Sequence, residues 1–156
     1  MKPKILVISL GNPLRGDDTT GSLVIKTLEK TLPTSLNQYV TLETAHQIDV
    51  THTTSIKDYK VVIFVDVDAR IEEGIAEVRK LAPKNSTPGF TSHISSIPNL
   101  LYLTERIFGS SPECYLVALA CRDFAFNSTV SNETDVIAKK GANTVRELIE
   151  ELFPII

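Results

Sequence analysis

The chain has 156 residues, of which 42% are hydrophobic and 22% charged, and its formal net charge is −3. These values are typical of one folded domain with a sizeable core and do not favour a disordered chain. The slight negative charge, without any basic run, argues against nucleic-acid or anionic-membrane partners. No apolar run reaches transmembrane length and no signal-peptide pattern precedes the first strand, so the sequence predicts a cytoplasmic protein.

Short apolar runs alternate with amphipathic stretches along the whole chain. The pattern predicts strands at residues 4–10, 39–43, 61–65, 75–81 and 114–120, and helices at 18–32, 47–57, 98–109 and 131–152. The 61–65 run is continuously apolar, which is typical of a central strand, whereas 75–81 alternates like an edge strand. Val136 is interpreted as an inward-facing position of the last helix. The alternation predicts a single α/β domain: a mostly parallel, twisted sheet of about five strands with helices on both faces.

A glycine-containing loop, Gly-Asn-Pro-Leu-Arg-Gly-Asp-Asp, follows the first strand at residues 11–18. A glycine loop between a strand and a helix often binds phosphate, but glycines at 11, 16 and 21 do not fit G-x-G-x-x-G, and no Gly-Lys-Ser/Thr follows. Asp17 and Asp18 would also repel a phosphate where backbone amides should attract it. The loop therefore indicates a cation site.

Three side chains that can bind metals follow the ends of predicted strands. Asp18 follows the first strand, Asp66 ends the central strand, and His93 lies in a turn-rich loop at residues 82–96. Ligands of open α/β sheets bind at the carboxyl ends of the strands, so we expect the three to lie within reach of one metal ion. Two carboxylates and one imidazole suit nickel, zinc or iron, and three protein ligands leave coordination positions open.

Each of these residues also has an ordinary structural interpretation. Asp18 could cap the following helix, Asp66 could form a turn at the strand end, and His93 could be a solvated loop histidine. Asp68 is a weaker candidate than Asp66 because it lies beyond the strand end.

The remaining histidines and the cysteines are interpreted as structural. His46 and His52 suit surface or capping positions. In a strand, the Cα atoms of Cys114 and Cys121 would lie roughly 23 Å apart, far beyond the ~7 Å limit of a disulfide. Both cysteines are therefore predicted to be reduced core thiols, and the lack of a C-x-x-C pair argues against a zinc-ligand role for either of them.

Taken together, these segments resemble the hydrogenase maturation endopeptidases, which process the large subunit of nickel–iron hydrogenases. The matching segments are residues 11–18 with Gly21, residues 61–66, Ser92-His93 before 97–103, and more weakly residues 46–48 and 123–131. They occur in the family's order and span nearly the whole chain.

The resemblance implies a single domain over residues 1–156 that removes the C-terminal peptide of a hydrogenase large-subunit precursor after nickel insertion. It places the metal contacts on Asp18, Asp66 and His93, and we add Gly11, Asn12 and Asp17 as candidate substrate contacts. Nickel is expected to arrive with the substrate, although other divalent ions could occupy the site. Three hard or borderline ligands bind free nickel weakly, but they can complete the shell of a nickel held by substrate thiolates.

Two alternatives stay open at the level of sequence. One is a nickel-binding or scaffold protein with the same fold and site but no peptidase activity. The other is a nucleotide-binding α/β module, which the acidic loop disfavours. No Ser/His/Asp or Cys/His order and no H-E-x-x-H motif is found. The group that activates water is therefore left open: metal polarisation of the scissile carbonyl and a metal-bound water with a pKa near ~7 are both compatible with the sequence.

The chain departs from the family's pattern at two places. The family usually has Asp-Asp-Gly-x-Gly, where this chain has Asp-Asp-Thr-Thr-Gly at residues 17–21. After the fifth strand, where the family favours glycines, the chain reads Ala-Cys-Arg-Asp at residues 120–123. Neither departure removes a proposed ligand.

Overall fold

Five strands and five helices are found in the computed structural model of the chain, which describes residues 3–11, 20–68, 70–71, 76–86, 93–120 and 132–154. The strands are β1 (Ile5–Leu10), β2 (Val40–Ala45), β3 (Val61–Val67), β4 (Ala76–Leu81) and β5 (Glu113–Leu119). The helices are α1 (Thr20–Thr31), α2 (Thr34–Asn37), α3 (His52–Ile56), α4 (His93–Phe108) and α5 (Asn132–Leu152).

The strands form one sheet in the order β2-β1-β3-β5-β4. The first four strands in this order are parallel, and β4 pairs antiparallel with β5 at the edge. The register places Val7 opposite Leu42 on one side and Ile63 on the other, with Tyr115 opposite Ile63. The predicted α/β fold and the edge position of the fourth strand are both confirmed.

The helices pack in two pairs, α1 with α5 and α3 with α4. The connection through α1 runs from β1 to the edge strand β2. The connection through α3 runs from β2 to β3, on the other side of β1. Crossovers between parallel strands are right-handed, which places α1 and α3 on opposite faces of the sheet. On the face covered by α1 and α5, Gly141 of α5 allows close packing against α1 and β5. A Cβ built at Gly141 would lie 3.1 Å from Val24 Cγ2 and 2.9 Å from Leu119 Cδ2.

Every residue of β1 and β3 is buried, because helices cover both faces of these central strands. β3 is longer than the predicted run of residues 61–65. Asp66 and Val67 still pair with Ala118 and Leu119 of β5. Asp66 is therefore part of the strand and not of the turn that follows it.

Two predicted helix starts are wrong. Pro98 is predicted to open the helix at residues 98–109, but α4 begins at His93 and contains Pro98. The expectation that His93 lies in a loop is corrected with it. Proline prefers the first helical turn, but here the carbonyl of Pro98 is fixed by a hydrogen bond from the N–H of Lys84 at 3.0 Å. The helix expected at residues 47–57 is only the short α3.

One predicted inward position is also wrong, since Val136 is 62% exposed. In α5 the buried stripe runs through Thr134, Ile137 and Ala138, with the spacing of three or four residues that one helix face requires. Val136 lies off that stripe. Within the described residues, no helix is both long and apolar enough to span a bilayer.

The end of β3 is fixed to β4 by Asp68, which is only 5% exposed. Its Oδ1 accepts hydrogen bonds from the backbone N–H and the Nε of Arg70, both at 3.0 Å. Its Oδ2 accepts from Arg70 Nη2 at 2.9 Å and from Arg79 Nη1 of β4 at 3.3 Å. The Asp68 N–H donates to the carbonyl of Leu119 at 2.8 Å. The hydrogen bonds from Arg70 lower the pKa of Asp68 to about 2, against the opposing effect of burial.

Asp68→Asn is predicted to lower the free energy of unfolding by about 1–2 kcal/mol at neutral pH. Arg70 and Arg79 would lose their charged acceptor, although the 76% exposure of Arg70 moderates the loss. Because the folded-state pKa is lowered from 3.8 to about 2, the carboxylate's contribution is present above pH ~4 and is lost as the pH falls through ~2. Urea unfolding of both proteins between pH 2 and 7 measures this difference.

A matched control is Asp135→Asn, which removes an exposed carboxylate that pairs with Lys139 at 3.1 Å. Such surface pairs contribute little, so a change under about 0.5 kcal/mol is expected. A stability difference between wild type and Asp68→Asn that stayed constant down to pH 2 would contradict the assigned role of Asp68.

Candidate functional site

The carboxyl ends of β1 and β3 lie side by side where the chain connections diverge. From β1 the chain passes through α1 to β2 on one side, whereas from β3 it passes to β4, α4 and β5 on the other. In open α/β sheets, such a divergence opens a crevice in which ligands bind. Gly11 follows β1 at this point, and Asp66 is the last residue but one of β3.

Asp66 is a buried carboxylate at this crevice, with 4% of its surface exposed. The backbone N–H of Val67 donates a hydrogen bond to Asp66 Oδ1 at 2.8 Å and so orients the carboxylate. Val67 pairs with Leu119, whose side chain contacts the α5 face. Because strand side chains alternate, Asp66 points to the opposite face, which α3 and α4 cover. Its place in the β3 ladder does not fit the alternative interpretation as a turn former.

The first residue of α4 lies at the same edge of the sheet as Asp66. α4 is joined by residues 109–112 to the amino end of β5, which is parallel to β3. The helix therefore ends at the amino edge of the sheet and begins, at His93, at the carboxyl edge. α4 also covers the face to which Asp66 points. The side chain of His93 lies outside the part of the chain that the structure describes.

Asn12, Asp17 and Asp18 also lie outside the described residues, in the segment 12–19. The described residues on either side of that segment, Gly11 and Gly21, lie at the carboxyl end of β1. On one side, the N–H of Gly11 donates to a β2 carbonyl at 3.1 Å. On the other, α1 approaches β1 so closely that a Cβ added to Gly21 would lie 3.0 Å from a Cβ of β1. The absence of a side chain at Gly21 therefore allows the start of α1 to lie close to the sheet.

The predicted meeting of Asp18, Asp66 and His93 stays a prediction, because only Asp66 has a described side chain. Among the described residues, no group of three or more His, Cys, Asp or Glu side chains is placed to hold a metal ion. What the structure adds is the shared location: the end of β1, Asp66 and the first residue of α4 all lie at the carboxyl edge.

Asp68 differs from Asp66 although both are buried aspartates near the end of β3. Its two oxygens accept four hydrogen bonds from Arg70 and Arg79. The role of Asp68 is therefore structural: it fixes the end of β3. Sequence reasoning did not find this arrangement. The nearest local signal is the arginine two residues after Asp68.

The other two histidines and the described cysteine, Cys114, lie at surface, helix-start and core positions. His46 is exposed, and His52 Nδ1 accepts a hydrogen bond from the N–H of Asp49 at 3.1 Å, next to the start of α3. Cys114 is a buried free thiol, and burial raises its pKa to about 12, which makes it unreactive. Cys121 lies outside the described residues.

No family model matches the chain, and no curated protein matches it by sequence. Several solved structures do match. The hydrogenase-maturating endopeptidase HybD from E. coli superposes with a TM-score of 0.75 at 18% identity, covering 95% of this chain and 93% of that chain. The [NiFe] hydrogenase maturation protease HycI from Thermococcus kodakarensis gives 0.70 at 19% identity, with coverages of 94% and 92%.

A third structure, the hydrogenase 2 maturation peptidase from a Thaumarchaeota archaeon, gives a TM-score of 0.64 at 22% identity, covering 94% of this chain and 97% of that chain. In all three cases the match extends over nearly the full length of both chains. This chain therefore has the fold of the hydrogenase maturation proteases.

Proposed function

We propose that this chain is an endopeptidase that removes the C-terminal extension of a nickel–iron hydrogenase large-subunit precursor after nickel has been inserted. The observation that carries the proposal is the buried Asp66 carboxylate at the carboxyl end of β3. The fold shared with hydrogenase maturation proteases over nearly the whole chain supports it. In this proposal Asp18, Asp66 and His93 contact the nickel that the substrate brings.

The negative charge of Asp66 at the carboxyl edge of the sheet favours contact with a cation. A carboxylate at 4% exposure has lost most of its hydration, which is costly for a charged group. A cation that arrives at the carboxyl edge offsets this loss by direct interaction with the carboxylate. Since the edge lies at a crevice of the sheet, the cation can be carried there by another protein.

The donor set explains why substrate nickel is preferred over free nickel. Two carboxylates and one imidazole, without thiolates, form a weak site for a free ion. A nickel already held by substrate thiolates needs only additional oxygen or nitrogen donors. The three side chains would therefore distinguish a nickel-loaded precursor from an empty one. Once bound, the nickel polarises the scissile carbonyl or lowers the pKa of a bound water towards ~7.

Cleavage is predicted to depend on nickel in the precursor. Wild-type protein should cleave nickel-loaded precursor and leave nickel-free precursor intact. The purified chain should contain far less than one metal ion per molecule. Electrophoresis of the two precursors after incubation, paired with metal analysis of the purified chain, measures both.

A resident metal at one per chain, together with cleavage of nickel-free precursor, would show a self-contained metallopeptidase instead. Tight binding of nickel-loaded precursor without any cleavage would favour the scaffold alternative.

Asp66→Asn is predicted to reduce the cleavage rate at least about 100-fold, since it removes one of three nickel contacts but keeps the shape of the side chain. An oxygen stays available to accept the hydrogen bond from the Val67 N–H. The free energy of unfolding should change by under about 1 kcal/mol, because the amide keeps the size and shape of the carboxylate. Single-turnover cleavage and urea unfolding measure the two effects.

Asp68→Asn is the matched control, because it makes the same chemical change two residues further along the chain. It should lower stability and leave cleavage near wild type at temperatures where the variant is folded. Full cleavage by Asp66→Asn would remove Asp66 from the site. His93→Ala should resemble Asp66→Asn, and its global unfolding would instead favour a structural role for that histidine.

A further inference from the structure

The outer edge of β2 has no strand beside it in the described sheet, where β2 pairs with β1 alone. In a parallel ladder, the N–H and C=O of one residue point to the same side, and successive residues alternate. The carbonyl of Tyr39 accepts from the Ile5 N–H at 3.0 Å, and the carbonyl of Ala45 accepts from the Gly11 N–H at 3.1 Å. The odd-numbered residues of β2 therefore bond to β1.

The even-numbered residues, Val40, Leu42 and Thr44, consequently direct their N–H and C=O groups away from the sheet. Among the residues that the structure describes, no backbone group pairs with them. Three outward-facing residues over a strand of six provide the hydrogen-bonding pattern that one further strand requires.

The two edges of the sheet differ in how they are protected. β4 carries Glu77, Arg79 and Lys80, and ion pairs join Arg79 to Glu77 at 2.9 Å and Lys80 to Glu113 at 3.0 Å. Such charges on an edge strand oppose the addition of another strand. In β2 the only charged residue is Glu43, and the strand contains neither lysine nor proline. The β2 edge is therefore the one that can accept a partner.

We propose that β2 binds the C-terminal extension of the precursor as an added antiparallel strand, an inference that rests on the proposed function. β2 ends at Ala45, at the same carboxyl edge of the sheet as Asp66. The mature side of the scissile bond is joined to a folded subunit, whereas the extension ends freely and can lie along an edge. A chain that starts at the carboxyl edge and continues along β2 runs opposite to that strand.

The spacing of the sheet sets how far the paired segment lies from the scissile bond. Neighbouring strands are about 4.8 Å apart, so a strand added to β2 lies about 14 Å from β3. An extended chain covers that distance in about four or five residues at ~3.3 Å each. Pairing with Val40, Leu42 and Thr44 needs about five more. An extension cut to about four residues should therefore keep the scissile bond but lose the β2 contact.

The decisive variant is Thr44→Pro. Thr44 is exposed and its N–H points outward, so proline removes one donor for the added strand and leaves the bonds to β1 in place. The KM for nickel-loaded precursor should rise about tenfold, while kcat changes less than about twofold. Thr44→Val keeps the N–H and should match wild type. Thermal unfolding of both variants verifies that they are folded.

Amide exchange gives a readout that does not depend on cleavage. With a synthetic peptide of the precursor's extension, exchange of the amide protons should slow at Val40, Leu42 and Thr44, and should not change at Thr41 and Glu43. Protection of the same three amides that rises with protein concentration alone would show that a second copy of the chain occupies the edge, and would overturn the proposal.

Failure of the inference and failure of the proposed function can be told apart. If wild type does not cleave nickel-loaded precursor, the proposed function fails. If wild type cleaves it, and Thr44→Pro and Thr44→Val have the same KM, the β2 contact is wrong while the function stands. Equal KM values for full-length and four-residue extensions would likewise show that β2 does not bind the extension.

Discussion

The burial of β1 and β3 on both faces is the constraint on which the rest of the structure depends. Every residue of both strands is buried. A charged side chain at almost any position in them would therefore lose its hydration. Asp66 is the only charged residue in these two strands, and it lies at the carboxyl end of β3. Chemistry in such a sheet is confined to the strand ends, where the connections on either side of the β1–β3 pair separate.

Two aspartates near the end of β3 share this environment and have different roles. Asp68 is held by Arg70 and Arg79, which joins the end of β3 to the edge strand β4. Its low pKa reflects hydrogen bonds within the protein, and it keeps the strand end in one position. Asp66 is oriented by the backbone N–H of Val67 and lies where the crevice begins.

Much of the fold could be predicted from the sequence because its signals are local. The continuous apolar run at residues 61–65 indicated a central strand, and the alternation of strands and helices indicated a parallel sheet. The end of that strand could not be placed, since Asp66 and Val67 are held in the ladder by β5, about fifty residues away. The start of α4 was also missed: the preference of proline for the first helical turn is local, but α4 begins five residues before Pro98.

The candidate site was predictable in part. Asp66 was selected because it follows a central strand, and its buried position at the sheet edge agrees with that choice. The role of Asp68 was not predictable, because Arg79 reaches it from a strand that pairs antiparallel with β5. The edge position of β2 could not be predicted from the sequence either, since strand order is a property of the folded sheet and not of any one segment.

The central claim is that this chain recognises nickel held by its substrate through Asp66 and the residues beside it. Nickel K-edge X-ray absorption of a nickel-loaded precursor, made resistant to cleavage at the scissile bond, tests that claim directly. Addition of wild-type protein should add oxygen or nitrogen scatterers to the sulfur shell of the nickel, and addition of Asp66→Asn should add fewer. A nickel shell that stays unchanged in a stable complex with wild type would contradict the account.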